Sequence, residues 1–521
     1  MSDPDLHYDL IVIGTGAGGS TLTHRLAPTG KRILILERGD FLPREQANWD
    51  AREVYGRERY HTDESWRDHR GKPFRPGVGY WVGGNTKIYG AALFRLRERD
   101  FERVVHKGGL SPEWPLKYAD FAPYYDRAEA LYAVHGQRPE DPTEPAAPDF
   151  PAPAVSHEPR MQQIVDGLKS KGLHPFHLPL GIKLNEVDRV MSECIRCSTC
   201  DGFPCLVRAK ADGEVCGVLP ALAHPNVTLL TEARVERLLT SPSGREVTGV
   251  EVEVEGVTLT FRADIIVVAC GAINSARLLL ASANEKHPGG LANGSDQVGR
   301  NLMKHLTTAI AALSIRRNPA VYQKTIAVAD WYWGDTDFPW PMGLVQNTGN
   351  VLPELIPAEA PRLLAPLVRL TPGFVLQDVS DHATGWWLQT EDLPDPDNRV
   401  TLEDGEVCLT YATNNTEAHN ALVRRWTAAL KAVDEAETML PFGLYPRTQS
   451  PLAAVGHQCG TCRFGPNPAT SVLDLDCRAH AVDNLYVVDG SFFPSSAAVN
   501  PTLTIVANAL RVGDHLAKRL R

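Results

Sequence analysis

Short apolar runs that stop at a glycine set the rhythm of this chain. Asp9–Ile13 (DLIVI) is one, ending at Gly14, and Arg32–Leu36 (RILIL) is another, with a helical pattern over Ser20–Leu26 between them. Strands that are apolar at every position suit a parallel sheet covered on both faces, so the start predicts a βαβ unit. Further strand patterns cover Val227–Leu230, Val247–Glu253 and Ile265–Ala269, the last leading through Gly271 into a helical stretch at Ala276–Leu280. Positions 418 to 440 read as helix, and Leu485–Asp489 followed by Pro501–Leu516 as strand, turn and helix. From about 317 to 400 the pattern becomes strand-like alternation, with five of the ten tryptophans: Trp331, Trp333, Trp340, Trp386 and Trp387. Gln137–Pro159 holds seven prolines and several acidic residues. It cannot bury enough apolar surface to fold alone and reads as a surface excursion or linker.

At 521 residues the chain exceeds what one core organises, so two or more domains are expected. A net charge of −10 argues against a nucleic-acid partner. No apolar run is long enough to span a membrane, and the polar start Met1–Asp9 carries no secretory pattern, so the expected location is cytoplasmic.

Gly14, Gly16 and Gly19 have the GxGxxG spacing between a predicted strand and a predicted helix. Gly14 permits the tight turn, Gly16 lets backbone approach a pyrophosphate, and Gly19 allows close helix–strand packing. The helix N-terminus then faces the phosphates. Glu37 ends the second strand, 18 residues beyond Gly19, where an acid would bind a ribose hydroxyl. This spacing does not separate NAD from FAD. Two other features point to a flavin. Gly83-Gly84-Asn85-Thr86 is a second glycine turn suited to backbone contact with a flat ring. Asn500-Pro501-Thr502 opens the last helix, whose amides could face a flavin's N1/O2 edge.

Six ordered segments resemble the glucose–methanol–choline (GMC) oxidoreductases. They are GTGAGG from Gly14, VGGNTKIYGAALF from Val82, VVACGAINSARLLLAS from Val267, VGRNLMKH from Val298, HQCGTCRFG from His457, and the long NLYVVDGSFFPSSAAVNPTLTIVANAL run from Asn484. The resemblance implies an α/β fold: a Rossmann-like FAD-binding domain with a second, substrate-binding domain built on an antiparallel sheet. The division it suggests is 1–110, 206–316 and 450–521 for FAD, and 111–205 with 317–449 for substrate, carrying the excursion at 137–159. It also implies cofactor contacts at Val235, Gly271, Asn274, Asp489 and Gly490, besides the residues above.

His457 and Asn500, 43 residues apart, are similar in order and spacing to the catalytic pair of the pyranose 2-oxidase branch, which includes oxidases of C-glycosides. Alcohol oxidation needs such a pair: a neutral imidazole takes the hydroxyl proton as hydride leaves for flavin N5, and an amide donates to the developing alkoxide. The expected substrate is a sugar or glycoside oxidised at a secondary hydroxyl, C2 or C3, with oxygen or a quinone as acceptor. The tryptophans suit stacking on sugar faces, although core packing explains them nearly as well. Gln346 and Asn347 are candidate hydroxyl readers, and His305 reads as structural or near the cofactor. A dehydrogenase for gluconate, sterol or another alcohol is the alternative within the family, and an inactive flavin-binding or electron-transfer module the alternative outside it. Non-covalent FAD is expected, because larger pyranose 2-oxidases attach their flavin to a histidine after the GG turn, where this chain has Ile88.

Four of the ten cysteines, Cys194, Cys197, Cys200 and Cys205, crowd into twelve residues. The spacing is close to ferredoxin ligation and compatible with zinc, but the family fold needs no metal there, so thiols without metal are expected. Cys459 and Cys462 read as buried thiols beside the active-site turn.

Overall fold

A computed structural model describes residues 7–356, 368, 370–434, 447–454 and 456–521. Its larger sheet has seven strands. Val227–Leu230, Ile33–Leu36, His7–Ile13 and the second half of Val257–Val268 run parallel, with Leu485–Val487 added beside the last. Leu10, Ile11, Val12, Ile33 and Ile35 are fully buried, as the unbroken apolar runs require. The first half of Val257–Val268 turns instead into an antiparallel meander with Val247–Val254 and Ala233–Thr240. That half is mostly exposed (VTLTFR), so the apolar run revealed only the strand's buried end. The first helix begins at Ala17 rather than Ser20, because the chain enters it directly from Gly16. The predicted helix at 418 to 440 is seen as Thr416–Asp434, and its last residues lie outside those described.

The second sheet is antiparallel throughout, in the order Arg447–Gln449, Leu306–Leu313, Ala383–Thr390, Leu344–Asn347, Ile326–Val328, Phe176–His177. Side chains alternate across it. Ile310 and Trp386, neighbours in register, point to the face covered by the helices Pro159–Ser170 and Thr416–Asp434, where they pack with Met161, Leu168 and Trp426. Ala309, Trp387 and Gln346 form the adjacent row and border a large cavity between the sheets.

Three expectations change. Leu306–Leu313 is the second strand of the antiparallel sheet, so a division at 316 would cut on its wrong side. Of the five tryptophans, only Trp386 and Trp387 border the cavity; Trp331 packs against Trp426 in the core beneath. The proline-rich excursion is no free linker. Arg138 donates to Glu129 at 2.7 Å and to Glu144 at 2.7 Å, and Asp141 accepts from the buried Arg97. Buried guanidinium groups thus pin the segment down. Among the described residues no helix is long and apolar enough to cross a membrane.

Glu129, on the helix Tyr118–Leu131, accepts two hydrogen bonds of 2.6 Å from Arg95, and both side chains are only 2% exposed. Removing one member of a buried pair leaves an uncompensated charge, so Glu129→Ala should destabilise the protein by about 3–5 kcal/mol. Denaturant titration checks this; a loss below about 1 kcal/mol would mean that the arginines find water or other partners.

Candidate active site

The cavity, about 670 Å³, is bordered by both glycine turns, the ends of the parallel strands and the inner row of the antiparallel sheet. Gly14 has φ +98°, and a Cβ there would lie 2.5 Å from the carbonyl oxygen of Ala269. At Gly19 a Cβ would lie 2.0 Å from the carbonyl oxygen of Gly14, and at Gly18 the same distance from that of Val488. Gly16 differs: a Cβ there meets nothing within 4 Å, because its backbone looks into the cavity. The helix Ala17–Leu26 has no side-chain cap and no acid in its first turn. The last helix, Thr502–Arg519, likewise starts at Pro501 without either. Two uncapped helix N-termini thus border one cavity and offer unsatisfied amides to anionic groups. The Asn274 Oδ1, also on the wall, is buried without a partner. These features fit FAD, with its pyrophosphate at one end and a ring that becomes anionic on reduction at the other.

The predicted cofactor residues all lie on this wall except Gly19, which packs behind it. Several also build the wall. Glu37 accepts from the Thr15 amide (3.0 Å), the Thr15 hydroxyl and the Gly39 amide (3.1 Å), and the Thr15 hydroxyl accepts from the Gly83 amide at 3.0 Å. One carboxylate therefore ties together the two glycine turns. Burial raises its pKa while these bonds oppose the rise. Asn85 accepts from the Gly79 amide, and Thr86 from that of Gly213. Asp489 accepts from the Gly271 amide at 3.0 Å, the Ser491 amide at 2.8 Å and two serine hydroxyls, joining two strand ends. Gly84, Val235, Gly490, Pro501 and Thr502 complete the wall.

The catalytic candidates are placed by pairing between motifs. Met303 and Cys459 exchange backbone hydrogen bonds of 3.0 and 2.9 Å. In such an antiparallel bridge, residues two beyond on one strand face residues two before on the other, so His305 comes abreast of His457. The two Nδ1 atoms are 3.2 Å apart and the rings stand at 87°. The other side of the His457 segment is held as well: the Gly460 amide donates to the Gly490 carbonyl at 3.0 Å.

This contact fixes a tautomer. His305 is fully buried, and its Nε2 sits 3.0 Å from the carbonyl oxygen of Ala497 and 3.2 Å from that of Ser496. Carbonyls only accept, so Nε2 carries the hydrogen. Burial pushes the His305 pKa down to about 4, so the ring is neutral and its Nδ1 is an acceptor. The His457 Nδ1 must then donate, which leaves its Nε2 with a free lone pair. Burial, followed by the nearby His305, pushes the His457 pKa down to about 3. His305, expected to be structural or near the cofactor, thus touches the candidate base itself.

Asn500 is oriented in the same manner. Gln346 Nε2 donates to Asn500 Oδ1 at 3.1 Å, so the amide nitrogen of Asn500 is left to donate elsewhere. Gln346 Oε1 is buried without a partner, and both residues border the cavity. Asn347 borders it too, with its amide nitrogen held by the Gly385 carbonyl at 2.7 Å.

Ile88 borders the cavity, whereas His69 and His106 do not; His61 and His457 are the histidines among its lining residues. Cys194, Cys197, Cys200 and Cys205 line one small separate pocket as free thiols. Among the described residues, no group of three or more His, Cys, Asp or Glu side chains is arranged to hold a metal. Cys459 and Cys462 are fully buried, and burial raises their pKa values.

Residues 8–307 and 394–509 match the two halves of a family described as GMC oxidoreductase. Paromamine 6′-oxidase of Streptomyces fradiae is 33% identical, over 99% of this chain and 92% of its own length. The 6‴-hydroxyparomomycin C oxidase of Streptomyces lividus is 32% identical over the same shares. Among solved structures, a formate oxidase of Aspergillus oryzae determined for its FAD modification superposes with a TM-score of 0.70 at 16% identity, over 100% of each chain.

Gly16 and Gly18 separate binding from packing. Gly18→Ala should destabilise the protein by about 1–3 kcal/mol through overpacking against Val488. Gly16→Ala should leave the stability of cofactor-free protein within about 0.5 kcal/mol and weaken retention of the bound dinucleotide. Denaturant titration and gel filtration check the two; equal loss of stability in both would contradict the division.

Proposed function

The chain belongs to the GMC oxidoreductases, and on that premise we propose that it oxidises a secondary hydroxyl, at C2 or C3, of a pyranose sugar or glycoside. It is an FAD-dependent enzyme acting on an alcohol. The observation that carries the catalytic part is the chain Ala497–His305–His457, which leaves the His457 Nε2 with a free lone pair on a residue that borders the cavity.

When bound, FAD supplies the hydride acceptor, and oxygen or a quinone is the proposed final acceptor. The protein's own residues do the rest. His457 Nε2 accepts the hydroxyl proton, His305 holds that tautomer, and the Asn500 amide donates to the oxygen as negative charge develops there. The carbon–oxygen bond becomes a carbonyl as the C–H electron pair leaves as hydride. Gln346 keeps the Asn500 amide turned the right way and presents its own Oε1 to a substrate hydroxyl. Trp387 supplies an aromatic surface for a sugar face. Gly16, whose backbone opens into the cavity, would leave room for the pyrophosphate, Glu37 would take the ribose hydroxyls, and Gly84, Asn85, Thr86, Pro501 and Thr502 would border the ring. Ile88 has no heteroatom to bond a flavin methyl group, so the FAD is held without a covalent link and should leave with the supernatant on acid precipitation.

Sugars and related alcohols fit the paromamine and hydroxyparomomycin oxidases among the relatives. Those two names include a 6′ and a 6‴ position, so the carbon oxidised is the point to settle, and NMR of the product does so: a C2 or C3 ketone supports the proposal and a C6 aldehyde overturns it. His457→Ala should retain FAD while slowing anaerobic flavin reduction about 10²–10⁴-fold. With the His457 pKa near 3, the native reduction rate should also hold between pH 7 and 5. An ordinary imidazole would lose roughly 25-fold over that span. Near-native reduction by the variant would place the base elsewhere.

A further inference from the structure

The charges on the cavity wall do not all cancel. Arg38 pairs with Glu64, Arg234 and Arg277 both pair with Glu236, and Lys324 pairs with Asp201 at 2.8 Å. Glu37 and Asp489 are held by the hydrogen bonds already described. Lys304 alone among the described charged lining residues has neither kind of partner. Its side chain is buried (8% exposed), it borders the cavity, and it forms no ion pair among the described residues.

Its surroundings explain why. Asp392, the nearby acid, accepts from the Lys304 backbone amide at 2.9 Å and from the Tyr411 hydroxyl at 2.8 Å, not from the ammonium. Burial pushes the Asp392 pKa up to about 7, which makes it a weak counter-ion. The Lys304 ammonium instead lies 5.5 Å from the centre of the Tyr411 ring. Desolvation lowers its pKa, since removing an ammonium from water without a partner is costly. Lys304 precedes His305 in the chain and adds to the positive potential at His457, so this cation belongs to the reacting end of the cavity.

Resting on the sugar-oxidising reading above, we propose that Lys304 anchors a carboxylate on the substrate, so that the preferred substrate is an acidic sugar or glycoside of the uronate class. A carboxylate would supply the partner that the fold withholds, by a charge-assisted hydrogen bond in a dry site. The free Gln346 Oε1 then takes a ring hydroxyl from the same molecule. A cationic amino sugar has nothing to gain there, since Asp201 is already occupied by Lys324 and Lys304 repels it.

The test is an anaerobic titration of the holoenzyme with D-glucuronate, D-glucose and D-glucosamine, read from the shift each causes in the absorption of the bound flavin. Glucuronate should bind at least tenfold more tightly than glucose, and glucosamine more weakly. Lys304→Met should lower glucuronate affinity at least tenfold more than it lowers glucose affinity, and Lys304→Arg should recover part of the difference. Lys304→Gln serves the same comparison if the methionine variant loses FAD. Glucuronate binding no tighter than glucose, or equal weakening of all three ligands by both neutral variants, overturns the proposal. Glucuronate that shifts the flavin spectrum without bleaching it would sink the oxidation reading while leaving Lys304 as an anion anchor.

Discussion

The pairing of two short motifs, VGRNLMKH and HQCGT, is the constraint on which the site depends. Their shared bridge at Met303 and Cys459 sets His305 against His457, and the next residue, Gly460, locks onto Gly490 on the other side. A Cβ at Gly460 would lie 2.3 Å from the carbonyl oxygen of Asn301, so glycine is required for this approach. His305 itself takes φ +63°, in the left-handed region that side chains usually avoid. The strain is localised where a proton position has to be fixed.

From that ribbon the rest of the site follows. The carbonyls that hold His305 belong to Ser496 and Ala497, four and three residues before Asn500. The base and the alkoxide donor are thereby referenced to one segment, and that segment leads straight into an uncapped helix whose amides border the cavity. At the far end Glu37 links the two glycine turns through Thr15. The antiparallel sheet closes the substrate side with Gln346 and Trp387, which are neighbours in register. His305 and His457 are set by backbone pairing, Gln346 and Trp387 by strand register, and Asn500 by the Gln346 side chain, which favours a preorganised site.

Much of this was legible in the chain because it is local. Buried parallel strands announce themselves as unbroken apolar runs, and the glycine spacing states where backbone must come close. The strand Leu306–Leu313 (LTTAIAAL) was not legible, since threonine and alanine do not alternate clearly with polar residues. The partner of His457 was not legible either, because it lies 152 residues away and is found only through the register of the bridge. Gly18 hid inside the accepted spacing as an ordinary intervening residue, although its packing against Val488 is as tight as that of Gly19. The lone charge of Lys304 is defined by the absence of a neighbour, which no pattern along the chain records.

Proton abstraction by His457 turns on one proton position, and neutron diffraction from a deuterated crystal of the oxidised holoenzyme measures it. Deuterium is expected on Nε2 of His305 and on Nδ1 of His457, with the Nε2 of His457 bare toward the substrate side. Deuterium on the His457 Nε2 with its Nδ1 bare would contradict it, because that imidazole could donate to a substrate hydroxyl but not take its proton.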